Sequence, residues 1–161
     1  VTQAAKSVDM PYVTERWLGG MMTNFATIRR SVKKMQSIER MLNDKALTSI
    51  TKKDRLTMSR EHHKLEKQLG GIANLNRLPA AMFIVDIHHE HIAVAEAHRL
   101  GLKTFAMVDT NSDPNDVDFP IPANDDASKS IAIITNYMAE AIREGLEERK
   151  KAKTEKEAAR G

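Results

Sequence analysis

Apolar positions along this chain change period partway, and the change marks its parts. After Asn24, Ile28, Val32, Met35 and Leu42 fall at the seam positions of a 4,3 repeat, with Glu39 the one polar break. Thr23 or Asn24 can cap this helix, which is expected to run to about Leu42. Turn and capping residues fill Asn43 to Thr51, and then Met58, His62, Leu65, Leu69 and Ile72 repeat the spacing. Two helices with narrow apolar seams and a short connection predict an antiparallel helical hairpin. Beyond Gly70 and Gly71 the helical period stops. AAMFIVD, Ala80 to Asp86, is a continuous apolar run ending in a carboxylate, as expected for a parallel-sheet strand covered on both faces. A helix from about Glu90 to Leu100, a stop at Gly101 and a second run, KTFAMVD from Lys103 to Asp109, complete a strand, helix, strand crossover.

The flanks are shorter. Val1 to Val8 reads as the end of a helix and Met10 to Val13 as a brief strand candidate. Asp113 to Asp116 is a turn, and Phe119 to Ile121 with its prolines is an edge strand. Asn124 to Ser128 caps a helix through Ile131, Ile134, Tyr137, Met138, Ala141 and Ile142 to Leu146. KKAKTEKEAARG is charged and poor in apolar residues, which predicts a flexible tail. The expected architecture is an α/β domain of residues 1–22 and 70–148, a helical hairpin of 23–69 and a basic tail of 149–161. The chain does not begin with Met, so a piece upstream is expected.

Charge sharpens this division. The chain has 161 residues and a net charge of +3, but the charges are sorted. Residues 29–77 hold thirteen Lys and Arg against five Asp and Glu, or +8. Residues 78–148 hold four against thirteen, or −9, and the tail holds six against two, or +4. A basic arm and tail beside an acidic body point to a polyanion partner, nucleic acid above all, with the acidic body facing elsewhere. There are no cysteines, which fits a reducing compartment such as the cytoplasm. No apolar run approaches the length that spans a bilayer.

Candidate chemistry is sparse. Asp86 and Asp109 end the two strands, where open parallel sheets bind ligands, and this permits an enzyme reading. Neither strand is followed by a Gly-rich phosphate loop. IHHEH, Ile87 to His91, places His88 and His91 at i, i+3 without a third ligand set by spacing, so solvated histidines are favoured over a metal. Asp109, Asp113, Asp116, Asp125 and Asp126 could converge on a divalent cation through oxygen ligands, although turn and cap duty explains most of them. RWLGG, Arg16 to Gly20, reads either as a glycine turn anchored by Trp17 or as a surface where Arg16 meets phosphate and the glycines allow close approach.

RWLGGMMTN with TIRRSVKKM, then LGGIANLNRLPAAMFIVD, then VDTNSDPNDVDFPIPANDDASKSI resemble, in order, the signatures of the bacterial small-subunit ribosomal protein 2 family. The resemblance runs from about Met10 to Leu146. It implies a Rossmann-like (flavodoxin-like) α/β domain with an inserted coiled-coil hairpin, no catalytic site and no cofactor. It also implies docking on small-subunit ribosomal RNA, help in holding the large mRNA-binding protein of that subunit, and an upstream strand not contained in this chain. Carried onto this sequence, the RNA-facing residues are Arg16, Asn24, Arg29, Arg30, Lys33 and Lys34, with Lys52, Lys53 and Arg77 behind them. Lys103 departs from the family, which commonly has Pro or Ala there. Trp17 is expected to wedge the hairpin base against the sheet.

Overall fold

A computed structural model describes residues 1–44 and 51–158. Residues 45–50 of the predicted turn and 159–161 of the predicted tail lie outside the described residues. Three parallel strands form the sheet, β1 (Ala81–Val85), β2 (Lys103–Val108) and β3 (Phe119–Pro122), in the order β1-β2-β3. Helices α1 (Thr2–Ser7), α2 (Phe25–Asn43), α3 (Lys52–Leu69), α4 (His91–Leu100) and α5 (Ser128–Ala158) accompany it. The sheet is flanked by helices, an α/β fold.

The crossover β1, α4, β2 forms where the period changes. Phe83 is paired with Phe105, and the β1 to β2 register runs from Ala81 opposite Lys103 to Val85 opposite Met107. Gly101 ends α4 in the left-handed conformation at φ 66°, which costs a residue without Cβ little. Ile84, Ile87, Val94, Ala106, Val108 and Val117 close one core cluster between α4 and the strands. β3 sits at an edge, where the absent amide hydrogens of Pro120 and Pro122 are tolerated, and Phe119 stacks on Phe105 with ring centroids 4.5 Å apart. The unusual Lys103 is paired: its Nζ donates to Asp118 Oδ1 at 2.9 Å, while Thr104 N and Oγ1 donate to Oδ2. The Lys103 ammonium first, then the two Thr104 donors, hold the Asp118 carboxyl down to about 2. This contact ties β2 to the entry of β3.

α2 and α3 lie side by side in opposite directions. Arg55 near the start of α3 donates to Leu42 O near the end of α2, Lys34 and Glu61 pair midway, and Leu69 shares a cluster with Val32. Thr51 caps α3 by accepting from Asp54 N. The inner face of α2 is Val32, Met35 and Ile38, whereas Glu39 points outward and Leu42 is half-buried. Ile38 follows Met35 at i+3, so the buried side of α2 is a face wider than the two-position seam of a 4,3 repeat. Ile72 is buried as predicted, but it belongs to a single 3₁₀ turn, Gly70–Ile72, that follows α3.

Three local expectations change. Met10 to Val13 forms no strand; it makes one ladder-like bond, Tyr12 N to Gly71 O at 3.0 Å. That contact needs Gly71, because a Cβ there would lie 2.1 Å from Tyr12 O. β1 is less covered than a strand buried on both faces: Ile84 is buried but Ala81 is exposed. α5 does not end at Leu146 but continues to Ala158. The Lys, Glu and Ala of that stretch are strong helix formers, and Lys153 pairs with Glu157 one turn on.

Candidate nucleic-acid interface

The RWLGGMMTN segment links the body to α2, and its conformation follows from one buried carboxylate. Glu96 of α4 is 7% exposed. Its Oε2 accepts from Met22 N at 2.7 Å and Thr23 N at 2.9 Å, and its Oε1 accepts from Gly20 N and from the Trp17 indole Nε1. Burial alone would raise this carboxyl, but the backbone donors of Thr23, Met22 and Gly20, with the indole, outweigh it and hold the group below its ordinary value. Gly20 reaches this geometry at φ 86°, a conformation that favours glycine. Gly19 has open space around it, so the second glycine, not the pair, is what the turn requires.

Trp17 is buried with Met21, Met22, Val32, Leu69, Ile72 and Ala93. It therefore joins the foot of both long helices to α4, with Met82 of β1 packed against the same cluster. Arg29 completes the joint. Its guanidinium donates to Ala73 O at 3.3 Å, Leu75 O at 2.9 Å and Asn76 Oδ1 at 2.7 Å, which locks the first turn of α2 to the loop leading to β1. Of the residues singled out in the sequence, Arg29 is thus half-buried and engaged.

The other residues singled out in the sequence face solvent. Arg16, Asn24, Arg30, Lys33, Lys34, Lys52, Lys53 and Arg77 are all exposed. Arg16, Asn24 and Arg77 lie near the foot of the helix pair. Arg30, Lys33 and Lys34 follow along α2 at helical neighbour spacings, and Lys52 and Lys53 open α3 at the far end. α2 has 19 residues, so this row spans roughly 28 Å. Lys34 shares its charge with Glu61 at 2.5 Å, an exposed pair. Such a row on a rigid helix suits phosphates spaced along a backbone and offers no base-reading geometry.

Glu96 was missed in the sequence. The available signal was one glutamate inside the apolar stretch HIAVAEAHRL, at the i+3 position from buried Ala93. An ionised side chain on an inward face demands donors, and the glycine turn supplies them.

At the other end of the sheet the acidic groups divide. Asp113 caps the short turn by accepting from Asn115 N and Nδ2, Asp116 is exposed, and Asn124 Oδ1 accepts from Asp126 N and Ala127 N. Asp109 accepts from Thr110 N and Asp125 N, and the Thr110 amide above all holds it below its ordinary value. His88 groups with Asp86 and His89, while His91 Nδ1 lies 3.3 Å from His88 O. No helix among the described residues is long and apolar enough to cross a membrane.

The layout is an α/β scaffold that directs its polar groups inward at the body and its cations outward along a helix pair. A profile of the family described as Ribosomal protein S2 matches residues 1–145. The chain is 63% identical over 153 residues to the small ribosomal subunit protein uS2 of Cytophaga hutchinsonii, covering 95% of this chain and 60% of the relative. It is 58% identical over 150 residues to that of Christiangramia forsetii (93% and 50%), and 57% identical over 159 residues to that of Phocaeicola vulgatus (99% and 57%). The chain belongs to the Ribosomal protein S2 family, and it spans half to three-fifths of the length of these relatives.

Proposed function

We propose that this chain is part of a structural, non-catalytic constituent of the small ribosomal subunit, working in the cytoplasm by binding ribosomal RNA in support of translation. The observation that carries this reading is the row of exposed cations on α2 and α3, in a chain whose relatives are named as small-subunit proteins. On this reading residues 23–69 are a coiled-coil hairpin inserted in a Rossmann-like, flavodoxin-like domain of residues 1–22 and 70–148, and residues 149–161 are a basic extension. Arg16, Asn24, Arg30, Lys33, Lys34, Lys52, Lys53 and Arg77 contact phosphates, and Arg29 acts from behind by fixing the angle of α2. The acidic body faces neighbouring proteins, the large mRNA-binding protein of the subunit among them.

The alternative of a nucleotide- or metal-dependent enzyme built on Asp86 and Asp109 finds less support. Both carboxylates accept hydrogen bonds from nearby backbone amides, His89 N for Asp86 and Thr110 N for Asp109, and no Gly-rich phosphate loop follows either strand. Sedimentation of the tagged protein from cell lysate, at low and at high salt, tests the proposal. Migration with the small subunit that is lost only at high salt is expected, and migration at the top of the gradient under both conditions would overturn it.

A further inference from the structure

Helix α5 carries a stripe on its outer side that neither the core nor the row of cations on α2 and α3 uses. Thr135 and Ala139 are buried and Met138 and Ile142 half-buried, so this side of the helix turns toward the body. On the opposite side, Ile133 is 70% exposed and Tyr137 is 74% exposed, the two most exposed large apolar side chains among the described residues. They stand one turn apart at i, i+4, and exposed Ala141 follows at the next turn. Burying a tyrosine and an isoleucine in this way is a recurring feature of protein interfaces, where aromatic side chains serve as anchors.

Further along, the same stripe changes chemistry. Glu144 and Glu148 continue it at i+3 and i+4 spacings, both exposed and without an ion-pair partner among the described residues. From Ile133 to Glu148 the stripe runs roughly 22 Å along the helix axis. Two carboxylates in line repel a phosphate backbone, so the stripe does not suit RNA. A second copy fits no better: side by side in parallel it would set glutamate against glutamate, and in antiparallel it would join only the short apolar ends and leave the glutamates unused. A helix of another protein satisfies both halves, because side chains at i, i+3 and i+4 spacing present a ridge to a neighbouring helix and can carry apolar groups at one end and cations at the other.

We propose that the outer stripe of α5 is the docking surface for a helix of a partner protein. Apolar side chains of that helix cover Ile133, Tyr137 and Ala141, and Lys or Arg one to two turns further along pair with Glu144 and Glu148. The apolar half supplies the anchor, and the acidic half fixes the direction and register of the partner. This deepens the reading in which the acidic body faces neighbouring proteins, by naming the surface and the chemistry it recognises.

A photoreactive benzoylphenylalanine placed at position 137 of the tagged protein, irradiated in living cells, tests it. The expected result is a cross-link to a segment of another protein that has apolar residues at helical spacing and Lys or Arg one to two turns away. Its yield should fall about fivefold or more when Glu144→Lys and Glu148→Lys are introduced, and also with Ile133→Gln. These side chains are exposed, so the variants should melt at the temperature of the parent protein. An adduct with RNA, an adduct with another part or a second copy of this same protein, or no adduct at all would overturn the proposal. A protein adduct indifferent to reversal of the two glutamates would overturn it as well. Because the cross-link forms in intact cells, these outcomes are read independently of whether the protein sediments with the small subunit, which tests the ribosomal reading itself.

Discussion

The foot of the helix pair and its shaft are built on opposite rules. At the foot, two charged side chains are consumed internally: Glu96 takes four donors from the Trp17 to Thr23 segment, and Arg29 gives its guanidinium to three oxygens of residues 73–76. Along the shaft, a seam of Val32, Met35 and Ile38 on α2 faces α3, where Met58 and Leu65 are only half-buried, and the cations stay in water. The foot therefore sets where the shaft points, and the shaft is left free to meet a partner. Exposed charges contribute little to stability, whereas buried ones contribute much only when fully partnered. Changes at the foot should thus unfold or tilt the molecule, and changes on the shaft should leave the fold intact.

The largest effect is expected for Glu96→Ala. It leaves three backbone amides and an indole without their acceptor, and a loss of about 3 kcal/mol in urea unfolding is expected. A loss below about 1 kcal/mol would mean that water reaches the turn and that the foot is not the rigid joint described. Gly71→Ala comes next. The added methyl meets the Tyr12 carbonyl, which must move, and a cost of about 2 kcal/mol is expected from the same measurement.

Acid comes after these. Asp118 is depressed from 3.8 to about 2, so the stability it contributes is complete above about pH 4 and is lost as pH falls through about 2. Asp118→Asn should flatten the dependence of melting temperature on pH across that window, while the curve near neutrality keeps its slope. A variant curve parallel to the wild type there would show that the Lys103 and Thr104 contacts do not favour the ionised form. The smallest effect on stability is expected on the shaft. Arg30→Gln with Lys33→Gln should change unfolding free energy by no more than about 0.5 kcal/mol.

How much of this was legible in the sequence follows the same contrast. The crossover unit and the helix pair could be read because their apolar periods are long and repeated, and Gly101 and Thr51 mark ends by mechanisms that act within a few residues. The cations could be read because exposure needs no partner. What could not be read depends on pairs distant in sequence. Glu96 and Gly20 are 76 residues apart, and nothing local in either shows that a turn of one chain segment will wrap a carboxylate of another. Arg29 looked like its neighbours Arg30 and Lys33, and only the return of residues 73–76 beside α2 distinguishes it. Met10 to Val13 has strand-like residues, yet it gains one bond to Gly71 rather than a ladder, because pairing needs a partner strand and not only propensity. Helix propensity alone would have carried α5 past Leu146; the charge of that stretch argued for a flexible tail and was the weaker guide.

The central claim is that the shaft, not the body, carries the electrostatic contact with RNA. Its most direct test is filter binding of small-subunit ribosomal RNA across a salt series, for the wild type, for a shaft variant with Arg30, Lys33, Lys52 and Lys53 changed to Gln, and for a body variant with Arg99→Gln and Arg143→Gln. The shaft variant should lose roughly 0.7–0.9 from the slope of log affinity against log salt for each cation in contact, with an unchanged melting temperature, and the body variant should keep the wild-type slope. A shaft variant with the wild-type slope, or a body variant that loses as much, would contradict the account.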